Sequence, residues 1–358
     1  MTTSRIDAIQ GLRALAALLV VVDHSVTSMM EIGSLDPRHT SFAWMLGGMG
    51  VKIFFAISGF IMTITTHDDF TSPAASRQFL WKRLSRIAPL YWIITFVAAI
   101  KLSAVGRIPH VSALVASLLF IPWPNDGGEL RPVLYVGWTL NYEMFFYVLF
   151  AAALHFRMYR GLAGLSIFLV ILVVANGVGH PNGAGTPDGS LLGFWGDSIV
   201  LYFVAGIAIG LARLRLDGSI ARLHLGIYPA LIGALVLVSI YAAYAFTHFS
   251  HDPASPWEIV ACIGAVAACA AATDHGDKKR PFVCSLGDAS YSIYLTHAFL
   301  VGLSMRIWAL VFGHSAPALF VASMIVACCV LGMLTYRLLE KPLLSMIRGL
   351  GNMRARSA

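Results

Sequence analysis

Long apolar runs separated by short polar turns make up most of the chain. A helix needs about 20 mostly apolar residues to cross the hydrocarbon core of a bilayer. Ten runs approach that length, at roughly residues 12–30, 44–66, 87–106, 133–156, 162–178, 197–213, 225–246, 257–273, 288–312 and 317–339. The pattern therefore predicts an all-α integral membrane protein built as a bundle of about ten transmembrane helices.

A shorter apolar segment, from Val111 to Trp123, interrupts this series. It contains Pro122, is followed by Pro124, and is too short to cross a bilayer as a helix. An eleventh span here would also reverse the orientation of every later helix. The sequence therefore predicts a short re-entrant or peripheral segment at residues 111–123.

The composition supports a membrane protein and excludes an ordinary soluble enzyme. Of 358 residues, 58% are apolar and 12% are charged, and the mean hydropathy is +0.76. The charged fraction is about half of the ~25% that soluble domains carry. The net charge of +7 fits cytoplasmic loops facing anionic lipid, because no basic tract is long enough to follow a nucleic acid backbone.

The five cysteines lie in apolar segments without the paired spacing of a zinc site or a disulfide framework. They are Cys262, Cys269, Cys284, Cys328 and Cys329. We expect them to behave as small buried apolar side chains. We also expect the first apolar run to be kept as a membrane helix, because it exceeds the length of a signal peptide.

The basic residues predict the orientation of the bundle. Of the 25 lysines and arginines, 18 fall in predicted cytoplasmic segments if the N-terminus is cytoplasmic. Only Arg38, Arg107 and Arg131 fall in the predicted outside loops. This asymmetry predicts that both termini are cytoplasmic. Without repeats or long linkers, we expect one transmembrane domain at residues 1–345 and a short basic cytoplasmic tail at residues 346–358.

The first predicted span carries the ionisable residues Arg13, Asp23 and His24, which are costly in a bilayer and therefore candidates for function. Arg13 and His24 share one helical face and are about 16 Å apart along the axis, with Arg13 at the cytoplasmic edge. Asp23 points about 100° away from His24. A snorkelling helix end for Arg13 and a structural hydrogen bond for His24 are the alternatives.

The second predicted span combines glycines with two polar residues. Gly47, Gly48 and Gly50 favour close helix packing. Lys52 falls in the outer third of the span, where its long side chain can reach the interface. The Ser58 hydroxyl can bond to its own helix or face a substrate.

Two later segments carry charge at defined depths. Lys82, Arg83 and Arg86 lie at a predicted cytoplasmic helix end, where Arg83 and Arg86 are neighbours on one surface. Guanidinium groups bind phosphates with forked geometry, although topology and lipid contact explain them equally simply. Glu143 lies near the middle of the fourth span, where it needs a proton or a cationic partner.

The ninth span begins with a row of polar residues. Ser290 and His297 are seven residues apart and share a face, with Tyr294 between them. This predicts a polar ridge that faces the bundle interior. Core hydrogen bonding explains the ridge without chemistry, and catalysis explains it with chemistry.

Together these segments resemble the family 3 membrane acyltransferases, integral membrane enzymes that O-acylate bacterial surface and exported glycans. The matching motifs are Arg13 with His24; Gly50 through Phe60; Arg83 and Arg86 followed by Pro89; Trp138-Thr139-Leu140 with Glu143; Gly287 through His297; and Tyr336-Arg337 with Glu340 and Pro342. Their order and spacing cover residues 5–342. The Gly50–Phe60 segment most resembles the ExoZ-like exopolysaccharide O-acyltransferases of this family.

The resemblance implies a reaction and its participants. The donor is an acyl-coenzyme A, with acetyl-CoA as the default, and the acceptor is a hydroxyl of an exported or lipid-linked glycan. The resemblance places the protein in the bacterial inner membrane and requires neither a metal nor nucleic acid. Homo-oligomerisation is left open.

The resemblance also implies roles for the candidate residues. The donor phosphates are assigned to Arg83 and Arg86 with Lys82, and Arg13 sits near the same mouth. His24 acts as general base, and Glu143 orients His24 or replaces it. The residues assigned to substrate binding are Ser58, Ser290, Tyr294 and His297.

Two other classes of function are compatible with the residues. A proton-coupled secondary transporter could use His24, Glu143 and His297 as a relay, although the two halves of the chain show no repeat. A purely structural membrane scaffold leaves the buried ionisable groups unexplained.

Overall fold

A computed structural model describes residues 6–36, 39–179, 190–223, 226–248, 255–272 and 280–356. The described residues are almost entirely helical, with one isolated β-bridge between Pro124 and Leu130. The helices are α1 (Asp7–Glu31), α2 (His39–Thr65), α3 (Ala75–Ala104), α4 (Val111–Leu118), α5 (Trp138–Ala153), α6 (Met158–Gly179), α7 (Leu191–Trp195), α8 (Leu201–Leu223), α9 (Ile227–His248), α10 (Pro256–Ala270), α11 (Phe282–Asp288), α12 (Ser290–Phe312), α13 (Pro317–Thr335) and α14 (Lys341–Arg356). The all-α fold class is confirmed.

Eight helical segments of the described chain are long and apolar enough to cross a membrane. They are Asp7–Glu31, Ser41–Thr65, Ala75–Ala104, Met158–Val178, Leu191–Leu216, Ile227–Tyr244, Ser290–Phe312 and Pro317–Gly349. The protein is therefore a multi-pass membrane protein. The other two predicted spans are helical but shorter, because α5 has 16 residues and α10 has 15. The count of ten and the orientation of the termini stay predictions.

The short apolar segment forms α4, which has eight residues. At 1.5 Å per residue it is about 12 Å long, which is too short to cross a bilayer. The helix ends at Leu118, and the Trp92 indole of α3 donates a hydrogen bond of 2.8 Å to the Leu118 carbonyl. The remainder of the predicted segment, up to Trp123, is not helical.

Some sequence predictions fall outside the described residues. They concern the predicted outside stretch 180–189, Arg38 in a predicted outside loop, and the predicted cytoplasmic lysines Lys278 and Lys279. Residues 346–356 of the predicted tail are described, and they form the end of α14.

The helices pack into two compact units. The first consists of Met1–Ile64 with Ala205–Tyr336, and the second of Thr65–Val204 with Arg337–Ala358. In the first unit, α1 contacts each of the five helices from α9 to α13. In the second unit, α5 packs against both α3 and α6.

The packing of α1 depends on glycines in its neighbours. A Cβ at Gly287 in α11 would overlap the Gln10 carbonyl of α1, and a Cβ at Gly50 in α2 would overlap the Ala16 carbonyl. At Gly47 it would overlap the Asp23 carboxyl group. Gly47 and Gly50 therefore serve the close approach that the sequence predicts, whereas a Cβ at Gly48 meets nothing within 4 Å.

The cysteines behave as predicted. All five are free thiols, four of them are buried, and Cys329 is partly exposed. Cys328 lies in an apolar cluster with Ile293 of α12 and Phe320 of α13.

We expect Gly287→Ala to destabilise the first unit by about 1–3 kcal/mol, because backbone rather than a flexible side chain blocks the added methyl group. The matched control is Gly233→Ala in α9, where a Cβ meets nothing within 4 Å and helix propensity improves. Thermal unfolding in detergent measures both. Equal midpoints for the two variants would contradict the close contact.

Candidate active site

Helices α1 and α12 bring two imidazoles together inside the first unit. The ring centroids of His24 and His297 are 4.8 Å apart, and the ring planes meet at 83°, an edge-to-face arrangement. The sequence separates these residues by more than 270 positions. The polar face of the first span and the polar ridge of the ninth span therefore meet at this point.

The hydrogen bonds of the two rings define the role of each nitrogen. His24 Nδ1 lies 3.0 Å from the Val20 carbonyl oxygen, and His297 Nδ1 lies 2.7 Å from the Tyr294 carbonyl oxygen. A carbonyl oxygen only accepts, so Nδ1 must carry the proton in both rings. In each neutral imidazole, Nε2 is then the nitrogen with a lone pair, the atom that a general base uses.

The surroundings of the two rings differ in exposure. His297 is fully buried, whereas 28% of the His24 side chain is exposed. His297 Nε2 has no hydrogen-bond partner among the residues that the structure describes. The same holds for the buried hydroxyl of Ser290, which lies two turns earlier on α12. Buried polar atoms of this kind are uncommon away from binding sites.

Tyr294 completes the ridge as the sequence predicts. Its ring centroid lies 5.7 Å from that of His297 and 6.2 Å from that of Phe54 in α2. Ser58 is one helical turn after Phe54, on the same face of α2. It is buried, and its hydroxyl also lacks a partner within the described ranges.

Asp23 is a second polar neighbour of His24. Its carboxyl oxygen Oδ2 lies 3.5 Å from His24 Nδ1, and Oδ1 accepts a hydrogen bond of 3.3 Å from the Thr27 hydroxyl. The space that Gly47 leaves accommodates this carboxyl group. Although Asp23 points away from His24 along the helix, its side chain reaches back to the ring.

Arg13 lies on the same unbroken helix as His24, about 16 Å towards its N-terminus. The side chain is partly buried, and its Nη1 donates a hydrogen bond of 3.2 Å to Gln10 Oε1. Arg13 is therefore near the beginning of α1, as the sequence predicts, and is separate from the paired imidazoles.

An arginine clasp joins the beginning of α1 to the end of α11. Arg280 donates from Nε to Asp7 Oδ1 at 2.9 Å, and from Nη1 and Nη2 to the two carboxyl oxygens of Asp288 at 2.6 and 3.2 Å. Asp7 begins α1, and Asp288 ends α11 just before α12. The hydrogen bonds to Asp288, reinforced by Asp7, raise the pKa of Arg280 above its usual range.

A buried ion pair corrects the sequence interpretation of Lys52. Lys52 Nζ lies 2.8 Å from Glu258 Oε1 of α10, with the lysine 7% exposed and the glutamate fully buried. Lys52 therefore does not snorkel to the interface. The sequence analysis missed Glu258, and its position in the first turn of an apolar helix was the one available signal.

The remaining candidates belong to the second unit. The guanidinium of Arg83 lies over the Phe79 ring, 5.6 Å from its centroid, and its Nη2 is 3.5 Å from the Thr65 hydroxyl. Glu143 and Tyr147 of α5 are close enough to interact electrostatically with Arg83. The Tyr147 hydroxyl donates a short hydrogen bond to Glu143.

Lys82 and Arg86 flank this group on α3. Lys82 is exposed and Arg86 is partly buried. Glu143 is thus part of the Arg83 group within its own unit, and its predicted role beside His24 stays a prediction. In the described ranges, no three His, Cys, Asp or Glu side chains cluster as a metal site.

Comparison with known proteins identifies the family. Residues 6–337 match the acyltransferase domain of family 3. The chain belongs to this acyltransferase family. It is therefore an enzyme that transfers acyl groups other than aminoacyl groups, on a scaffold of membrane helices.

Two relatives of this acyltransferase match most of its length. ExoZ of Rhizobium meliloti strain 1021, an exopolysaccharide production protein, is 31% identical over 313 residues, which cover 85% of this chain and 92% of ExoZ. The acyltransferase MdmB of Streptomyces mycarofaciens is 24% identical over 96% of this chain and 92% of its own length.

A third relative matches over a shorter region. The peptidoglycan O-acetyltransferase OatA of Listeria monocytogenes is 30% identical over 98 residues, which cover 26% of this chain and 13% of OatA. No solved structure matches the acyltransferase.

We expect the Lys52–Glu258 pair to show strong coupling in a double-mutant cycle. Glu258→Gln leaves a buried ammonium without its carboxylate, and Lys52→Met leaves the reverse, so each costs about 3–5 kcal/mol of stability. The double variant should cost clearly less than the sum of the two. Unfolding in detergent measures all four proteins, and additive losses would argue against the ion pair.

Proposed function

We propose that this enzyme moves an acetyl group from acetyl-CoA to a hydroxyl of an exported or lipid-linked glycan, in the bacterial cytoplasmic membrane. Membership of the acyltransferase family supports acyl transfer, and the name of ExoZ supports an exopolysaccharide acceptor. The name of OatA supports acetyl as the group and a sugar polymer as the acceptor. Family membership also favours this proposal over a proton-coupled transporter.

The arrangement of His24 is the observation that carries the proposal. Its Nδ1–H is bonded to the Val20 carbonyl, so Nε2 is the ring nitrogen that can accept a proton. The ring is only partly buried, so a hydroxyl can reach it. An imidazole near neutrality is suited to this exchange, because it accepts and returns a proton at similar cost.

In the proposed transfer step, His24 accounts for the proton that moves as one bond forms and another breaks. His24 Nε2 takes the proton of the sugar hydroxyl as that oxygen attacks the carbonyl carbon of the thioester. A carbon–oxygen bond forms, the carbon–sulfur bond breaks, and the protonated His24 returns the proton to the departing thiolate. The products are the sugar ester and free coenzyme A.

The carbonyl oxygen becomes negative during the attack and needs a hydrogen-bond donor. The Tyr294 hydroxyl is the best placed candidate, because the Tyr294 ring touches His297, which itself touches His24. Ser290 lies about 10 Å further along α12 from His297, and Arg13 lies about 16 Å from His24 along α1. We therefore assign Tyr294 to the oxyanion and Ser290 to substrate binding.

His297 and Ser58 hold the acceptor in this proposal. His297 Nε2 can accept a hydrogen bond from a sugar hydroxyl, because its Nδ1 already donates to Tyr294. The Ser58 hydroxyl can donate or accept. Both atoms are buried and lack a partner among the described residues, so a bound sugar would satisfy them.

In this proposal Arg83, Arg86 and Lys82 hold the donor phosphates. The assignment of Arg13 to the donor rests on the sequence alone. The Phe79 ring and the Thr65 hydroxyl position the Arg83 guanidinium. Two arginines three residues apart on one helix can each present a fork to a diphosphate. Glu143 is close enough to interact electrostatically with Arg83, but one carboxyl group cannot neutralise three cations.

We expect His24→Ala to lower glycan acetylation by roughly 10²–10⁴-fold, the usual contribution of a general base. The measurement is mass spectrometry of exported polysaccharide, in which loss of the acyl mass also names the group transferred. Ser25→Ala is the matched control, since the Ser25 hydroxyl only bonds to the Val21 carbonyl of its own helix. Normal acetylation by a well-expressed His24→Ala protein would remove His24 from the reaction.

We expect Arg83→Ala to raise the acetyl-CoA concentration for half-maximal rate by roughly tenfold or more, since it loses charged hydrogen bonds to phosphate. S-acetylpantetheine lacks the diphosphate, so its use should change little. Arg107→Ala removes an exposed arginine outside α3 and serves as the control. If acetyl-CoA and S-acetylpantetheine suffer equally, Arg83 does not bind the phosphates.

A further inference from the structure

A group of polar side chains in the second unit lies outside every role described above. Asn141 in α5 is fully buried, and neither the nitrogen nor the oxygen of its carboxamide has a hydrogen-bond partner among the described residues. A buried carboxamide with both ends unpaired is unfavourable in an apolar interior. Such a group therefore points to a polar ligand.

Two hydroxyls of α3 are also buried in this unit. Tyr91 and Thr95 are fully buried and face each other across one helical turn. Neither hydroxyl makes a hydrogen bond of regular geometry in the part of the chain that the structure describes. Four polar atoms on these three residues are thus buried without regular partners.

The three residues lie on α3 and α5, which pack against each other. We call the contact between these two helices the seam. A Cβ at Gly137 would lie 2.8 Å from a Tyr91 ring carbon and 2.9 Å from its hydroxyl oxygen, so Tyr91 reaches the backbone just before α5. Asn141 is one helical turn after Gly137 and therefore points to the same side. The Phe120 ring stacks on Tyr91 at 4.8 Å and fixes its position.

The seam continues from the Arg83 group. The Phe79 ring contacts Tyr147, whereas Tyr91 contacts the start of α5, so the two helices run antiparallel. Tyr91 lies about 12 Å from Arg83 along α3, and Asn141 lies about 9 Å from Tyr147 along α5, in the same direction. The side chains near Arg83 are therefore charged, whereas Tyr91, Thr95 and Asn141, further along the two helices, are neutral and can both donate and accept hydrogen bonds.

The chemistry of the seam selects a class of ligand. A carboxamide and two hydroxyls carry no charge, and together they offer both donors and acceptors. A secondary amide, with one N–H and one C=O, satisfies this set. Resting on the proposed function, we propose that Asn141, Tyr91 and Thr95 bind an amide of the pantetheine arm of the acyl-CoA donor, whose phosphates Arg83 holds.

The experiment separates the amide from the phosphates. Asn141→Leu should raise the half-saturating concentration of both acetyl-CoA and S-acetylpantetheine by about tenfold, the effect of one neutral hydrogen bond lost from a buried site. Arg83→Ala, in contrast, should affect acetyl-CoA alone. The control is Asn176→Leu, because Asn176 is equally buried in the same unit but donates to the Gly196 carbonyl of another segment.

A second measurement keeps the proposal testable if Asn141→Leu does not fold. The wild-type enzyme should use an S-acetylpantetheine analogue, with one amide replaced by an ester, about tenfold less well than S-acetylpantetheine. In Asn141→Ser, which retains a smaller polar group, the same replacement should matter less than in the wild type.

The outcomes distinguish this proposal from the proposed function. If the wild type uses acetyl-CoA but Asn141→Leu leaves both half-saturating concentrations unchanged, the seam holds water only and the amide proposal is wrong. An equal response of wild type and Asn141→Ser to the ester analogue overturns it as well. If the wild type does not use any coenzyme A thioester, the proposed function itself fails.

Discussion

The hydrogen bonds from the two imidazole Nδ1 atoms to backbone carbonyls determine what the meeting point of α1 and α12 can do. Each bond fixes a tautomer, and each leaves Nε2 as the acceptor on the ring. Because the carbonyls belong to the same helices as the rings, no distant side chain has to be placed accurately. The orientation of each imidazole is thus fixed by its own helix. The two rings meet as long as α1 and α12 stay in contact.

Several contacts within the first unit hold α1 close to its neighbouring helices. The absence of side chains at Gly47, Gly50 and Gly287 lets α2 and α11 approach α1 closely. Arg280 joins the beginning of α1 to the end of α11, immediately before α12. The Lys52–Glu258 pair joins α2 to α10, and separating these two helices would leave a buried charge without its partner. Shape and charge therefore act on the same small set of helices.

Sequence patterns predicted the helices better than their partners. Apolar run length was sufficient for the long helices, and period alone placed Ser290, Tyr294 and His297 on one buried face of α12. It could not show that this face meets His24. A polar ridge shows which face of a helix points into the protein. Only the packed structure shows which other helix that face contacts.

Lys52, Glu258 and Asn141 show the same limit, because the sequence does not reveal which side chains pack together. The sequence allowed Lys52 to reach the interface, because it falls in the outer third of the predicted span. Its partner Glu258 is more than 200 residues away and carries no motif that links the two. Similarly, Asn141 is unremarkable in the sequence, and only its burial without a hydrogen-bond partner among the described residues distinguishes it.

The carbonyl at His24 Nδ1 has a chemical consequence. In the Ser-His-Asp triad a carboxylate accepts from this nitrogen and stabilises the imidazolium that forms during the reaction. A neutral carbonyl stabilises that charge less, but Asp23 Oδ2 lies only 3.5 Å from the same nitrogen. Protonation at Nε2 would strengthen the attraction between the ring and this carboxyl group. In the proposed reaction, Asp23, which the Gly47 backbone accommodates, is thus in position to support His24 as its charge develops, whereas the Val20 carbonyl sets its starting tautomer.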